Sequence, residues 1–154
     1  LERHGIGYAH VPKLEKTPVD AYSILSDRKP CIVVTYRYAS DRDKFVFDIL
    51  HELGHISLHF EEGLGSSFLK MDESVEDRQQ EREANEYATN KLIPPEIWKE
   101  LMRPTNLSIN PYINGKTVGD RAKSMGLSPS IAVSRFKYES ECFNIPAYRS
   151  PILT

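Results

Sequence analysis

Residues 41–60 read DRDKFVFDILHELGHISLHF, and the spacing of their apolar side chains decides the fold around them. Phe45, Ile49, Leu53, Ile56 and Phe60 recur at steps of three and four, which predicts one amphipathic helix from Asp41 to Phe60. Asp41 or Asp43 stands near its start and Gly63 beyond its end. Inside it, residues 51–55 spell HELGH. Residues four apart lie one turn apart on the same face, so the imidazoles of His51 and His55 can meet one metal ion. Glu52 sits beside the first of them, too poorly aligned to chelate in its place, and its carboxylate stays free to hold water and take its proton. A divalent ion held by two neutral imidazoles and one carboxylate keeps a net positive charge, which acidifies water and polarises carbonyls.

The competing account is a coincidence of common residues on an amphipathic helix. Three features weigh against it. Two histidines and a glutamate without ligands are costly in so apolar a helix, Gly54 leaves room for another backbone or a substrate, and three of the five histidines fall within nine residues. Zn²⁺, one per chain, is the expected ion, although the same donors also suit manganese or iron.

The third ligand comes from elsewhere. His59 continues the face of His51 and His55, but one rigid helix cannot curl three successive turns around a single ion. His59 is therefore read as a buried, hydrogen-bonded residue that supports the ligands from behind. It also falls two residues short of the last histidine of HExxHxxGxxH, and Leu58 stands where that pattern needs glycine, so a metzincin is excluded on spacing. A second predicted helix, Ser74 to Leu92, carries EREANEYA at Glu81 to Ala88, and there Glu81 and Glu83 both offer a carboxylate.

Around these helices the chain divides simply. IGYAHV from Ile6, VDAYSIL from Val19 and CIVVTY from Cys31 are short apolar runs set apart by Pro, Lys, Asp and Ser, which predicts strands of a small antiparallel sheet. GLGSS within Glu61 to Met71 reads as a connection bordering a cleft. The pair Pro94 and Pro95 stops the second helix, and a short helix follows from Pro95 to Met102. Arg103 to Lys116 reads as loop, and two helical segments, Thr117 to Met125 and Pro129 to Cys142, close the chain. With 154 residues and 40% of them hydrophobic, a single α+β domain with a real core is expected over residues 1–154.

A formal net charge of −2 argues against a polybasic nucleic-acid surface, so no direct nucleic-acid partner is expected. No apolar run approaches a membrane span, and the opening LERHGIGYAH lacks a signal-peptide hydrophobic region. Cys31 and Cys142 belong to no CxxC or CxxH pair and read as reduced thiols. The expected compartment is the cytoplasm.

HELGHISLH followed by EREANEYA and KLIPP resembles the ImmA/IrrE family of metallopeptidases. The likeness extends to GIGYAHVPKL, to KPCIVVTYRYASDRDKFVFDILHELGH and to RAKSMGLSPSIAVSRFK, which are similar to the peptidase-like region of HigA-type antitoxin regulators, and it covers most of residues 5–138. The resemblance implies a small sheet on a helical zincin core, a minimal thermolysin-like gluzincin. It implies His51, His55 and Glu81 as zinc ligands and Glu52 as catalytic base. It also implies a protein substrate that is a cytoplasmic transcriptional repressor, and in some members an upstream helix-turn-helix domain. Asp48 and Tyr87 depart from the usual pattern, and Asp48 is placed to retune the entrance to the site.

Helix geometry favours the same glutamate. Glu81 and Glu83 lie roughly 200° apart around the axis. Glu81 shares its side with Ala84, Asn85, Ala88 and Leu92, a small and apolar stripe suited to close helix packing, whereas Glu83 shares its side with Glu86, Tyr87 and Asn90. Asn85, one turn beyond Glu81, is placed to accept a hydrogen bond from the outer nitrogen of a ligating histidine.

Other features are weaker. Arg37 and Tyr38 end the CIVVTY strand and are candidate oxyanion or substrate contacts, as is Tyr112 in NPYING. GLSPSIAVSRFK has the outline of a helix-turn-helix, with Lys123, Arg135 and Lys137 as phosphate contacts. A core role for Ile131, Ala132, Val133 and Phe136 is the stronger reading. The functional rival to a protease is a regulatory, antitoxin-like binding module with a structural or vestigial metal. The free Glu52 argues against it, since a structural site favours a fourth protein ligand.

Overall fold

A computed structural model describes residues 1–12, 20–35, 42–63, 75–103 and 114–141 of the chain. The order of elements is a short 3₁₀ turn at Glu2–His4, strands β1 (Gly7–Val11), β2 (Ala21–Ser26) and β3 (Lys29–Thr35), then helices α1 (Arg42–Gly63), α2 (Val75–Leu92), α3 (Pro95–Leu101), α4 (Gly115–Ser124) and α5 (Pro129–Ser140). The fold is α+β. The chain divides into two compact units, Leu1–Lys91 and Leu92–Thr154.

In the first unit the sheet runs β1-β3-β2. Ile32, Val33, Val34 and Thr35 of β3 are all buried, as a strand flanked on both edges and covered on both faces requires. β2 and β3 form an antiparallel hairpin closed by Asp27 and Arg28, both at positive φ, 50° and 64°. Two left-handed residues are what a two-residue type I′ loop demands, because its twist matches that of the strands. β1 pairs with β3 in parallel, Gly7 opposite Cys31 and Val11 opposite Thr35. The sheet is thus mixed, and the expected antiparallel arrangement holds for the β2–β3 pair only. Alternation of polar and apolar residues fixes which face a side chain takes and carries no information on strand direction.

α1 packs on β2 and β3. Its start is tied to the sheet by Lys44, whose Nζ lies 2.7 Å from Asp20 and 2.8 Å from Asp48. Asp48, the departure noted in the sequence, is therefore engaged with Lys44 one turn earlier on the same helix.

The second unit has its own core of Ile93, Trp98, Leu101, Val118, Ala122, Ala132 and Val133, with Ile131 and Phe136 packed against it. Asn114 caps α4 by accepting from the Thr117 amide, and Ser128 caps α5 by accepting from the Ile131 amide, with Pro129 in the first turn. Gly126 takes the left-handed φ of 73° that the turn between them needs. Arg135 is committed inside this unit: it lies over the Trp98 ring at 4.6 Å, donates to the Ile93 carbonyl at 2.7 Å and pairs with Glu139 at 2.7 Å. The core reading of SIAVSRFK accounts for these residues. Among the described residues, no helix is long and apolar enough to cross a membrane.

Candidate metal centre

The site lies in the first unit, where α1 and α2 touch. Gly54 is buried, and a Cβ added to it would stand 3.0 Å from the Ala84 Cα and 3.2 Å from the Ala84 carbonyl oxygen. Ala84 and Ala88 are fully buried. The absent side chain of Gly54 and the methyl of Ala84 let the helices approach at backbone distance, and that approach brings the polar residues on either side of it together.

His51 and His55 project from successive turns of α1, with ring centroids 4.8 Å apart and Nε2 atoms separated by 3.1 Å. From α2, Glu81 places Oε2 3.2 Å from His51 Nε2 and Oε1 3.2 Å from His55 Nε2. One donor atom from each residue falls in a group within 4.8 Å of one another. Two imidazole nitrogens facing each other so closely either share a proton or share a cation. With zinc–ligand bonds of about 2.0–2.1 Å, the edge of a tetrahedron is roughly 3.3–3.4 Å. Separations of 3.1 and 3.2 Å are close to that edge, so the donor set fits a small divalent ion.

Behind His51, the Asn85 Oδ1 stands 3.0 Å from Nδ1. An amide oxygen only accepts, so Nδ1 carries a proton, and Nε2 is the nitrogen left to face Glu81 and His55. Without an ion, burial pushes the His51 pKa down, but Glu81, Glu52 and Asn85 outweigh it and raise it overall. The hydrogen bonds from His51 and His55 hold the Glu81 carboxyl far below the ordinary carboxylate range. Both shifts describe a pocket organised around a positive charge beside an ionised carboxylate.

Glu52 lies outside this trio. Its side chain is buried, 7% exposed, and burial raises its pKa against the opposing pull of His51, the Ser23 hydroxyl and His55. Ser23, on β2, was not singled out from the sequence. A lone serine in the apolar run VDAYSIL is the only signal that marked it.

His59 is buried, and its ring is 5.5 Å from that of His55. It donates from Nε2 to Glu83 at 2.9 Å, and Gln79 donates to the other oxygen of Glu83 at 2.9 Å. Glu83, expected on the wetter side of α2, therefore also reaches α1, but at His59. The helical wheel separates the two carboxylates; the length of a glutamate side chain and the extra turn of α1 bring the second one back. Arg37, Tyr38 and Tyr112 lie outside the described residues.

A profile of the IrrE N-terminal-like domain, a peptidase family, matches residues 2–132. The chain belongs to that family. The match spans the three strands, α1, α2 and the start of α5, so the HELGH helix and the Glu81 helix both fall inside the IrrE N-terminal-like domain. No curated protein matches the chain. Membership makes it a metallopeptidase-like domain, and the His51, His55 and Glu81 cluster supplies residues able to hold a metal ion.

Proposed function

We propose that the chain is a zinc-dependent endopeptidase of the cytoplasm whose substrate is a transcriptional repressor. One observation carries the reading: three ligand-type side chains converge, while a second acidic residue, Glu52, is buried next to His51 and stands outside that group. A structural site would gain from a fourth protein ligand, whereas a hydrolytic one needs a free base.

His51, His55 and Glu81 would hold the ion, and Asn85 would keep His51 in the tautomer that binds it. Zn²⁺ in that position supplies the Lewis acidity that polarises a scissile carbonyl and acidifies water. Glu52 takes one proton from the attacking water as its oxygen bonds to the carbonyl carbon, then delivers that proton to the leaving amine as the C–N bond breaks. A carboxyl group is far more acidic than the ammonium of the leaving amine, so the proton that Glu52 takes passes on to nitrogen. β2 is an edge of the sheet among the described residues, so an extended substrate segment can pair along it.

The test is incubation of the zinc-loaded protein and of Glu52→Gln with repressors encoded beside its gene, read by mass spectrometry. Cleavage by the first and not by the second is expected. Absence of cleavage by the zinc-loaded form would favour the antitoxin-like binding module instead.

A further inference from the structure

Glu81 turns two donor atoms toward the histidines. Its Oε2 lies 3.2 Å from His51 Nε2 and its Oε1 3.2 Å from His55 Nε2, while the two Nε2 atoms stand 3.1 Å apart. The carboxylate thus lies across the imidazole pair, one oxygen toward each ring. A trapezoid with those three sides, closed by the roughly 2.2 Å span between carboxylate oxygens, has a centre about 2.1 Å from every corner. That is the length of a zinc bond to imidazole or to carboxylate oxygen. An ion at the centre meets both nitrogens and both oxygens, and neither oxygen has to move.

Exposure separates the three ligands as well. The side chains of His51 and His55 are 15% and 13% exposed, whereas that of Glu81 is 50% exposed. Both imidazoles are packed in place on α1, and Asn85 holds the His51 ring from behind at 3.0 Å. The glutamate reaches across from α2 on the solvent side, and its terminal torsion moves in a broad well. The ligand able to change its grip is Glu81.

We propose that Glu81 holds the ion as a chelate through both oxygens and lets one oxygen go when a scissile carbonyl arrives. This rests on the peptidase reading above. Two imidazoles, two carboxylate oxygens and one water make five donors; when the carbonyl oxygen replaces one carboxylate oxygen, the count stays at five and the water is kept. Glu81 then serves the reaction as well as the retention of the ion.

X-ray absorption of the zinc-loaded protein reads the number of donors and the distance from zinc to the carboxylate carbon. It is measured with and without acetohydroxamate, a small chelator that binds zinc through two oxygens. Without the chelator, five donors and the short zinc–carbon distance of a two-oxygen carboxylate are expected. With it the count should stay at five and the carbon should recede, because Glu81 yields one oxygen. Cobalt absorption gives a second reading, since band strength follows coordination geometry. Cobalt-loaded wild type should show the weak bands of a five-coordinate ion. Glu81→Gln, whose amide offers one oxygen, should show the several-fold stronger bands of a four-coordinate one. A four-donor wild type with a distant carboxylate carbon would overturn the inference and leave the peptidase reading standing. Six donors in the acetohydroxamate complex, or identical cobalt spectra for wild type and Glu81→Gln, would overturn it too. If Glu81→Gln holds no cobalt, the zinc measurements on the wild type decide alone. A protein that takes up no zinc would overturn the peptidase reading, and this inference with it.

Discussion

His51 Nδ1 and Asn85 Oδ1 stand 3.0 Å apart across the α1–α2 contact, and this one distance determines which nitrogen of His51 can bind an ion. Asn85→Ala removes the acceptor, frees the tautomer and lets the ring rotate. Zinc affinity should fall roughly tenfold to a hundredfold. Asn85→Asp keeps the acceptor and adds negative charge, so it should bind at least as tightly as wild type. Titration against a calibrated chelator separates the three.

Loss of His51 or His55 should abolish metal binding, whereas Glu52→Gln should leave the ion in place, because the amide keeps the shape and removes only the base. Elemental analysis of the untagged variants checks this. Equal loss in all three would make Glu52 a ligand or a determinant of the fold.

The helix that carries HELGH was legible because its apolar residues recur at helical spacing and its polar ones sit at ligand spacing. The Glu81 face was legible from Ala84 and Ala88, whose small side chains announce a close contact. What escaped are relations between distant elements. The parallel pairing of β1 with β3 depends on how the chain travels between Val11 and Ala21, which local alternation does not encode. The Glu83–His59 pair depends on side-chain reach, which a helical wheel ignores.

Gly54→Ala tests the crossing itself. The new methyl would stand 3.0 Å from the Ala84 Cα, a backbone atom with no rotamer to escape into. The helices must part, and overpacking of this kind costs about 1–3 kcal/mol. Urea denaturation of the zinc-free variant should show that loss, and its zinc affinity should fall with it because Glu81 retreats from His51 and His55. Unchanged stability would mean that the contact at Ala84 is looser than 3.0 Å.

The zinc-free protein should be most stable in mildly acidic solution. Glu81 has a folded-state pKa lowered from 4.5 by its hydrogen bonds to His51 and His55, so its contribution is present above pH 4.5 and is lost as pH falls through the depressed value. His51 has a folded-state pKa raised from 6.5 despite burial, so its contribution is complete below pH 6.5 and is lost as pH rises through the raised value. Glu52, raised from 4.5 chiefly by burial, also weakens the fold as pH rises and it ionises. A maximum near pH 4.5 follows, where the contribution of Glu81 is complete and the loss from Glu52 begins, with a steeper decline above pH 6.5 as His51 joins it. Zinc should reverse the alkaline limb, because it binds the neutral imidazoles and competes with the proton on His51. Thermal midpoints across pH, with and without zinc, decide it.

The two glutamates of EREANEYA should separate cleanly by what each holds. Glu81 faces both histidines at 3.2 Å, so Glu81→Ala removes a ligand and should weaken zinc binding by orders of magnitude. Glu83 faces His59 at 2.9 Å and lies on no path to the Nε2 atoms of His51 and His55, so Glu83→Ala should change zinc affinity little. Its effect should appear in stability instead. His59 is buried, its Nδ1 has no hydrogen-bond partner among the described residues, and Glu83 is the acceptor for Nε2. Without Glu83 both ring nitrogens would be buried and unsatisfied, a state that folded proteins seldom tolerate. Glu83→Gln keeps an acceptor oxygen and should recover most of the loss. Chelator titration and thermal denaturation of Glu81→Ala, Glu83→Ala and Glu83→Gln read the two effects separately. A larger loss of zinc affinity in Glu83→Ala than in Glu81→Ala would show that the ion is held from the other face of α2.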